Sequence, residues 1–296
     1  MDRPALVARR ARGCNPWSMT GNLNLVRRRR HPANISPLVD ALTLSTPEGE
    51  CTWLDTGPVN GVTVKTLNAG HYSQAPVRGP DGGYLGIITT QRADELLKGN
   101  QPLTANDPKL DSKHIEAQLD VLAMINALGD PDRPAVAVLE GSTFMGLLTV
   151  SDLNRHAMRA ALFGIVGVLE ANLAWWVEPR LPQNAASFIP DVRPADRRLR
   201  RALLRDWSGR IGVVSSLYFA DFLVLLEHVP ILRDGLDPAS LCKALDAATR
   251  LNNLRTRVMH PPKAVVDSSP DSPLRLEDDV RLAIELNACL VRAGGA

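Results

Sequence analysis

The ten residues Thr143-Phe144-Met145-Gly146-Leu147-Leu148-Thr149-Val150-Ser151-Asp152 decide the fold because they occur twice in related form. The stretch Gly83-Tyr84-Leu85-Gly86-Ile87-Ile88-Thr89-Thr90-Gln91-Arg92 matches them at an offset of 60 residues. Each copy joins a run of apolar residues, typical of a buried strand, to hydroxyl residues that can cap a helix. Self-similarity at a fixed offset indicates two units of one kind that share a core.

A second strand is predicted before each copy of the repeat. The segments Gln74–Val77 and Pro134–Leu139 have strand-like composition, and polar turns join them to the repeated stretches, as in a β-hairpin. A helix is predicted after each copy, from Arg92 to Lys98 in the first and from Asp152 onward in the second. A longer helix is predicted from Ile115 to Leu128, where apolar residues recur at helical spacing. The sequence thus predicts two helix–strand–strand–helix units.

This repeat resembles the cystathionine-β-synthase (CBS) domain, which occurs in tandem pairs built from βαββα-type repeats. The resemblance covers roughly residues 50–158 and is strongest from Val136 to Leu153. CBS pairs commonly bind adenosine-containing ligands, so the resemblance implies an adenine nucleotide (AMP, ADP or ATP) as a regulatory ligand. It also implies that Thr149 and Asp152, at the family's (Ser/Thr)-x-x-Asp step, contact the ribose and phosphate region, with Gly146 in the same site.

The first copy departs from that step. Arg92 stands where the second copy has Asp152. An arginine cannot accept hydrogen bonds from ribose hydroxyls, although it can bind a phosphate. A purely structural alternative stays open for the second copy, in which Thr149 and Asp152 only cap the helix that follows.

The chain after Leu153 is predicted to be helical to its end. Prolines and glycines separate the helices, a pattern typical of an up-and-down bundle. The predicted fold is therefore α+β, with a disordered basic arm at 1–35, a CBS pair at 36–158 and an all-α bundle at 159–296. The predicted helices run from Arg155 to Val177, Ala195 to Trp207, Val213 to Leu226, Pro238 to Met259 and Leu276 to Val291.

An arginine and a histidine close the fourth of these helices. Arg255 lies in its last turns, and His260 follows where Pro261-Pro262 stop the helix. An Arg-x-x-x-x-His-Pro step in a helical bundle resembles the HEPN superfamily, here over residues 159–292. The resemblance implies a metal-independent endoribonuclease in which two protomers of a homodimer bring their motifs together. Glu170, an acidic residue on the first bundle helix, is also family-like.

These residue types fit RNA cleavage without a metal. A histidine can take a proton from the 2′-hydroxyl or give one to the leaving 5′-oxygen, and an arginine can stabilise the charged phosphate. The expected product is a 2′,3′-cyclic phosphate, and neither a catalytic cofactor nor a metal site is expected. One departure is Thr256, because the family commonly has Asn, Asp or His after the arginine.

Two alternatives to the ribonuclease stay open. In the first, Arg255 simply pairs with Glu170, His260 only ends a helix, and the chain is a non-catalytic dimeric regulatory or scaffold protein with an adenosine-type ligand. In the second, the chain binds RNA without cleaving it.

Charge, cysteine spacing and hydropathy limit which partners and which cellular location are expected. Residues 1–35 carry eight arginines and one acid, whereas the rest of the chain has 26 basic and 31 acidic residues. The mildly acidic body predicts no pervasive nucleic-acid surface, and the arm is expected to be a solvated tail or an RNA-attracting segment. The four scattered cysteines form no Cys-x-x-Cys pair and favour a reducing, cytoplasmic location. Polar residues interrupt the apolar stretches 160–177 and 211–232, so no membrane partner is expected.

Overall fold

Strands dominate the first half of the chain and helices the second, which makes the fold mixed α+β. The computed structural model describes residues 41–107, 114–116, 120–130, 135–205, 212–260 and 262–294. The arm predicted at residues 1–35 lies outside these described residues. The strands are β1 (Thr46–Pro47), β2 (Leu54–Asp55), β3 (Gly57–Pro58), β4 (Gln74–Arg78), β5 (Tyr84–Thr89), β6 (Pro102–Leu103), β7 (His114–Glu116), β8 (Ala135–Glu140) and β9 (Thr143–Thr149). The α-helices are α1 (Ala41–Leu44), α2 (Gly61–Ala69), α3 (Thr90–Lys98), α4 (Val121–Ala127), α5 (His156–Val177), α6 (Pro194–Leu203), α7 (Phe219–His228), α8 (Pro238–Asp246), α9 (Ala248–Met259) and α10 (Ser272–Gly294).

Each repeat is built on one antiparallel hairpin, as the sequence predicts. β4 pairs with β5, and β8 pairs with β9. The register shifts once in each hairpin, so that Leu85 and Met145, which are 60 positions apart, are extra residues in their strands. An extra residue bends a strand and increases its twist. The two repeats therefore match even in the position of the β-bulge.

A short parallel strand lies beside each hairpin, and it corrects one prediction. β2 pairs with β4, and β7 pairs with β8. Ile115 belongs to β7, so the prediction of a helix from Ile115 to Leu128 is wrong at its N-terminal end. The helix found there is α4, and the Asp120 side chain caps it by accepting a hydrogen bond from the Ala123 N–H at 2.8 Å. A few apolar residues fit a buried strand as well as a helix, and pairing with β8 decides in favour of the strand.

The two repeats pack against each other through equivalent positions. Tyr84 of β5 stacks on Phe144 of β9, with ring centroids 4.8 Å apart and an interplanar angle of 27°. Trp53 meets the Phe144 ring edge-on at a centroid distance of 4.8 Å. Ile87 and Leu147, which are also 60 residues apart, are buried in the same cluster. Contact between equivalent residues is what two units related by an approximate twofold axis produce.

Helix α5 is the central helix of the second half. It packs against α7, α9 and α10. Its buried polar groups are paired, because the Trp176 Nε1–H donates to the Leu232 carbonyl at 2.7 Å and Asn172 donates to Asn287 at 2.6 Å. By length and composition α5 could cross a membrane, with a mean hydropathy of 1.6, but half of that apolar window is buried by the rest of the chain.

Two main hydrophobic clusters divide the buried side chains. One belongs to the first repeat alone and is formed by residues between Leu54 and Leu103. The other continues from α4 and β8 of the second repeat into all of the larger helices of the second half. The predicted domain limits, 36–158 and 159–296, stay a prediction.

The prediction of one helix from Pro238 to Met259 is wrong, because two helices, α8 and α9, replace it. They are separated at Ala247, where φ is −101° and ψ is 16°. Alanine is the best helix former, so local propensity does not explain the break. Packing does, since the break lets Leu241 of α8 and Leu251 of α9 both be buried while each helix packs on α10. The predicted helix Val213–Leu226 is likewise a short 3-10 turn followed by α7.

Candidate functional site

A cavity of about 180 Å³ lies between the two repeats. Its lining includes residues from Leu67 to Pro76 of the first repeat, residues from Leu147 to Arg155 of the second, and residues from Thr46 to Thr52 before them. Thr149, at the end of β9, and Asp152, in the turn that follows, are both part of this lining. The fold thus brings two of the residues implicated in ligand binding to one cavity.

Asp152 is buried, with 3% of its surface exposed. Its Oδ2 accepts hydrogen bonds from the Thr149 N–H at 2.7 Å and from the Thr149 hydroxyl at 2.8 Å. Its Oδ1 lies 2.7 Å from Nε of Arg155. Burial raises the pKa of the Asp152 carboxyl, and the hydrogen bonds from Thr149 act against that rise. Asp152 thus stabilises the turn after β9, as the alternative of a purely structural role predicts. The same carboxylate also borders the cavity.

Arg155 closes one side of the cavity. Its Nη1 donates to the carbonyls of Leu44 at 2.9 Å and Ser45 at 3.2 Å, and its Nη2 donates to the Thr46 hydroxyl at 3.0 Å. A single guanidinium therefore ties the carboxylate of Asp152 to the segment that begins β1. Sequence reasoning missed this residue, although an acid followed three positions later by an arginine at a helix start is a recognisable pair.

Gly146 does not line the cavity but lies against Thr46, which does. A Cβ at this position would lie 2.5 Å from the Thr46 carbonyl oxygen. Glycine is therefore needed so that β1 can approach and pair with β9. Gly146 thereby positions Thr46, which lines the cavity, and a contact between Gly146 and a ligand stays a prediction.

Further residues of the lining gave no signal in the sequence. His71 has a positive φ of 55°, which is uncommon outside glycine. Cys51 is half-buried, and burial raises the pKa of its thiol to about 11, so the thiol stays protonated at neutral pH. Tyr72 and Leu67 add apolar surface. Leu67, His71 and Tyr72 come from α2 and the loop after it in the first repeat, and Cys51 comes from the segment before β2, so only the tertiary fold brings them to Thr149.

The first repeat uses its equivalent step differently. The Thr89 hydroxyl accepts a hydrogen bond from the Arg92 N–H at 3.1 Å, so the capping role of the threonine is kept. The Arg92 side chain, however, turns to the surface and donates to Asp107 at 3.0 Å. Asp107 also accepts hydrogen bonds from the Thr104 N–H and hydroxyl, which are the main reason that its pKa is lowered. Arg92 is therefore paired within its own repeat.

The residues suggested for catalysis lie on the helical side of the molecule. Arg255 of α9 approaches Glu170 of α5, with Nη2 and Oε1 3.7 Å apart, and about a quarter of each side chain is exposed. The Arg255 Nε is buried and has no hydrogen-bond partner among the described residues. His260 is exposed and follows the last residue of α9. The structure thus brings Arg255 and Glu170 together and leaves His260 at the helix end.

Asn154, in the turn after β9, and Arg159, near the start of α5, contact the end of α9 and the loop after it. Asn154 accepts hydrogen bonds from the Val265 N–H at 2.7 Å and the Val266 N–H at 3.1 Å, and it donates to the Val266 carbonyl at 3.0 Å. Arg159, which is 9% exposed, donates to the carbonyls of Arg257 and Lys263. The loop that follows His260 is therefore held by Asn154, two residues after Asp152, and by Arg159 in the first turns of α5.

Among the residues that the structure describes, no group of three or more histidine, cysteine, aspartate or glutamate side chains is placed to hold a metal ion.

The structural neighbours of the chain are CBS-domain proteins, and they match over about two fifths of its length. No protein-family model matches the chain, and no curated protein does. A CBS domain-containing protein of unknown function from Bacillus anthracis is 17% identical, with 40% of this chain and 91% of that protein aligned at a TM-score of 0.34. CBSX2 in complex with AMP is 11% identical, with 41% and 98% aligned at 0.35. CbpB in complex with c-di-AMP is 18% identical, with 42% and 87% aligned at 0.33. At TM-scores this low, we infer neither the fold nor the ligand of this chain from these similarities.

Proposed function

We propose that this chain is a nucleotide sensor that controls a metal-independent endoribonuclease. The observation that carries the proposal is the position of Asn154. It lies two residues after Asp152, which borders the cavity, and it holds the backbone of Val265 and Val266 after the Arg255 helix. A ligand that moves the turn after β9 would therefore act on the loop beside the proposed catalytic residues.

The sensor ligand that fits the cavity chemistry is an adenine nucleotide. Asp152 can accept hydrogen bonds from both ribose hydroxyls, while Leu67, Tyr72 and Leu147 offer apolar surface to the base. The cavity of about 180 Å³ is smaller than the roughly 300–1,000 Å³ of typical small-molecule pockets. We therefore expect the cleft to widen on binding, with release of the contact between Arg155 and Asp152.

Calorimetric titration of the purified chain with AMP tests the sensor. We expect one bound nucleotide per chain, because Arg92 occupies the equivalent position of the first repeat. Adenosine and inorganic phosphate, titrated separately, show which part of the ligand supplies the affinity. The absence of binding by all three probes at millimolar concentration would overturn the sensor proposal.

The proposed reaction is RNA cleavage by transesterification, in which the 2′-oxygen attacks the phosphorus and the 5′-oxygen leaves. His260 takes the proton of the 2′-hydroxyl, the new P–O bond gives a 2′,3′-cyclic phosphate, and the 5′-oxygen leaves with a proton supplied by the second histidine of a homodimer. Arg255 stabilises the charge that builds up on the phosphate, because its side chain is about a quarter exposed and its guanidinium carries several N–H donors. Glu170 orients Arg255.

Incubation of the full chain with RNA in EDTA tests this output. Wild type is expected to produce ends with a 2′,3′-cyclic phosphate, identified by mass spectrometry, and His260→Ala and Arg255→Ala to lose at least about 100-fold in rate. The matched control is His228→Ala, because His228 lies on α7 and pairs with Glu227. Intact RNA at high protein concentration, with and without AMP, leaves the non-catalytic regulatory protein as the function. A gel shift without cleavage indicates RNA binding alone.

The connection between the two sites has its own test. Asn154→Ala removes the three hydrogen bonds to Val265 and Val266 while leaving Thr149 and Asp152 unchanged. We expect AMP affinity to be retained and the effect of AMP on cleavage to be lost. An unchanged AMP effect in this variant would show that control does not pass through Asn154.

A further inference from the structure

Helix α5 has an apolar face that the rest of the described chain covers only in part. Phe163 and Trp175 are 52% and 37% exposed, and the Trp175 ring lies against Gly294 at the end of α10. Ala160 and Ala171, on the same side of the helix, are also exposed, and Gly167 is half-buried. These residues recur at intervals of three to four, so they form one stripe along the helix. The exposed half of α5 is therefore apolar, in addition to the half that packs in the core.

No contact among the described residues explains the glycine at position 167. A Cβ added there would meet nothing within 4 Å. Glycine within a helix lowers helix stability relative to alanine, so it is expected only where a close approach requires it. Small residues on a helix allow the backbone of a second helix to come close. The closest approach that Gly167 permits must therefore be to something outside the described chain.

The sizes of the residues in the stripe are symmetric about Leu169. Phe163 and Trp175 are each six residues from this midpoint, and Gly167 and Ala171 are each two residues from it. An antiparallel copy of the same helix, crossing at Leu169, would place each Phe163 against a Trp175 and each Gly167 against an Ala171. A twofold interface has this property, because residue i contacts residue j and j contacts i. Aromatic side chains would then pack on each other at both ends.

We propose that the apolar face of α5, from Ala160 to Trp175, is a self-association surface on which a second copy of this chain docks antiparallel. Residues 1–35 are a poorer occupant, because they carry eight arginines and one acid whereas the face from Ala160 to Ala174 has no charge at its centre. Glu170 lies at the edge of the stripe and pairs with Arg255. The dimer therefore brings the two Arg255–Glu170 pairs close to its axis, a consequence that rests on the proposed ribonuclease, whereas the association itself does not.

The area of the face sets the expected affinity. The stripe from Ala160 to Trp175 is about 23 Å long and roughly 10 Å wide, so it covers on the order of 200 Å² per protomer. A standard interface covers about 800 Å² per partner, so the dimer belongs to the weak, reversible class. We expect a dissociation constant on the order of micromolar.

Sedimentation velocity over two decades of concentration around the micromolar range tests the proposal without RNA. Wild type is expected to shift from monomer to dimer. Gly167→Leu is expected to stay monomeric at an unchanged or raised melting temperature, because its side chain meets no atom in the monomer and leucine favours the helix more than glycine does. The matched control is Phe188→Glu, which changes an exposed aromatic residue outside α5 and should dimerise like wild type.

A charge-pair experiment tests the antiparallel register. Phe163→Lys and Trp175→Glu should each be monomeric alone, and a mixture of the two should form a heterodimer. Wild type that stays monomeric throughout, or a dimer that Gly167→Leu leaves intact, would overturn the proposal. Monomeric protein that floats with anionic lipid vesicles would assign the face to a membrane instead. A dimer with no RNA cleavage retains the surface and removes only the proposed ribonuclease.

Discussion

The two repeats have the same backbone arrangement but differ at one position of the four-residue step that follows the hairpin. This step is Thr89–Arg92 in the first repeat and Thr149–Asp152 in the second, and its fourth residue differs. Thr89 and Thr149 both end a strand and both hydrogen-bond to the residue three positions later. That residue is Arg92 in the first repeat, exposed and paired with Asp107, and Asp152 in the second, buried at a cavity. The threonine therefore serves the local fold in both units, whereas the fourth residue borders the cavity only in the second repeat.

The acids of the two repeats also differ in how folding shifts their pKa. Hydrogen bonds from Thr104 and Arg92 lower the pKa of Asp107, so its ionised form stabilises the fold, and this stabilisation is lost as pH falls through the lowered pKa. Burial raises the pKa of Asp152. The ionised form of Asp152 therefore opposes folding at neutral pH, and this opposition disappears as pH falls through the raised pKa. A buried carboxylate that opposes folding is typical of a functional site.

The largest effect is expected from Asp152→Asn. Hydrogen bonds to a charged group contribute about 1.5–3 kcal/mol, so AMP affinity should fall about 10- to 100-fold in calorimetric titrations. The free energy of unfolding at neutral pH should stay the same or increase, because a buried charge is removed. The control is Arg92→Gln, the equivalent position of the first repeat, which should change AMP affinity less than twofold. Equal losses in both variants would contradict the distinction between the repeats.

The next effect concerns pH. Protonation of Asp152 removes one acceptor, so adenosine affinity should decrease several-fold as pH falls, and the decrease should begin above the pKa of about 3.9 of an ordinary aspartate. Adenosine is the suitable probe because it carries no phosphate that titrates in this range. The Asp152→Asn variant should show a flat profile. A wild-type profile that is equally flat would show that the carboxylate does not hold the ribose.

A smaller effect is expected from Arg155→Ala. Arg155 occupies Oδ1 of Asp152, and half-exposed ion pairs contribute about 0.2–1 kcal/mol, so its removal should raise adenosine affinity by about threefold. Arg92→Ala, which breaks the ion pair of the first repeat, should leave adenosine affinity unchanged. A loss of affinity in Arg155→Ala would mean that the guanidinium shapes the cavity rather than masking the carboxylate.

No effect on stoichiometry is expected from Arg92→Asp, although it restores the fourth residue of the step in the first repeat. The new carboxylate would lie beside Asp107, which already holds the position that Arg92 faces. Like charges at this distance repel, so a second ligand should not bind. A second AMP per chain in calorimetry would show that the fourth residue alone is sufficient for a site.

The features that sequence predicted are those that depend on neighbours along the chain. The two hairpins arise within a few residues, and so does the hydrogen bonding of Thr149 with Asp152, which the sequence offered as a structural alternative. Periodicity failed at Ile115, because a run this short fits both a strand and a helix. Helix propensity also predicted a continuous helix through Ala247, but tertiary packing breaks the helix there.

The parts of the candidate site that sequence missed depend on contacts between distant segments. Arg155 reaches Leu44 across an interval of 111 residues, and Asn154 reaches Val266 across an interval of 112. No local pattern encodes such contacts. The approach of Arg255 to Glu170 was expected as a structural alternative, and at 3.7 Å the two groups are close enough to attract but not to hydrogen-bond.

The hydrophobic cluster that runs from β8 into the helices limits how this chain can change over evolutionary time. A recombination event between the second repeat and the helices would leave the buried faces of both parts open to water and prone to aggregation. The first repeat has its own cluster, so replacement there leaves the larger cluster complete. The two repeats also share a cluster that contains Ile87, Phe144 and Leu147, so a replacement for the first repeat has to supply the same apolar contacts.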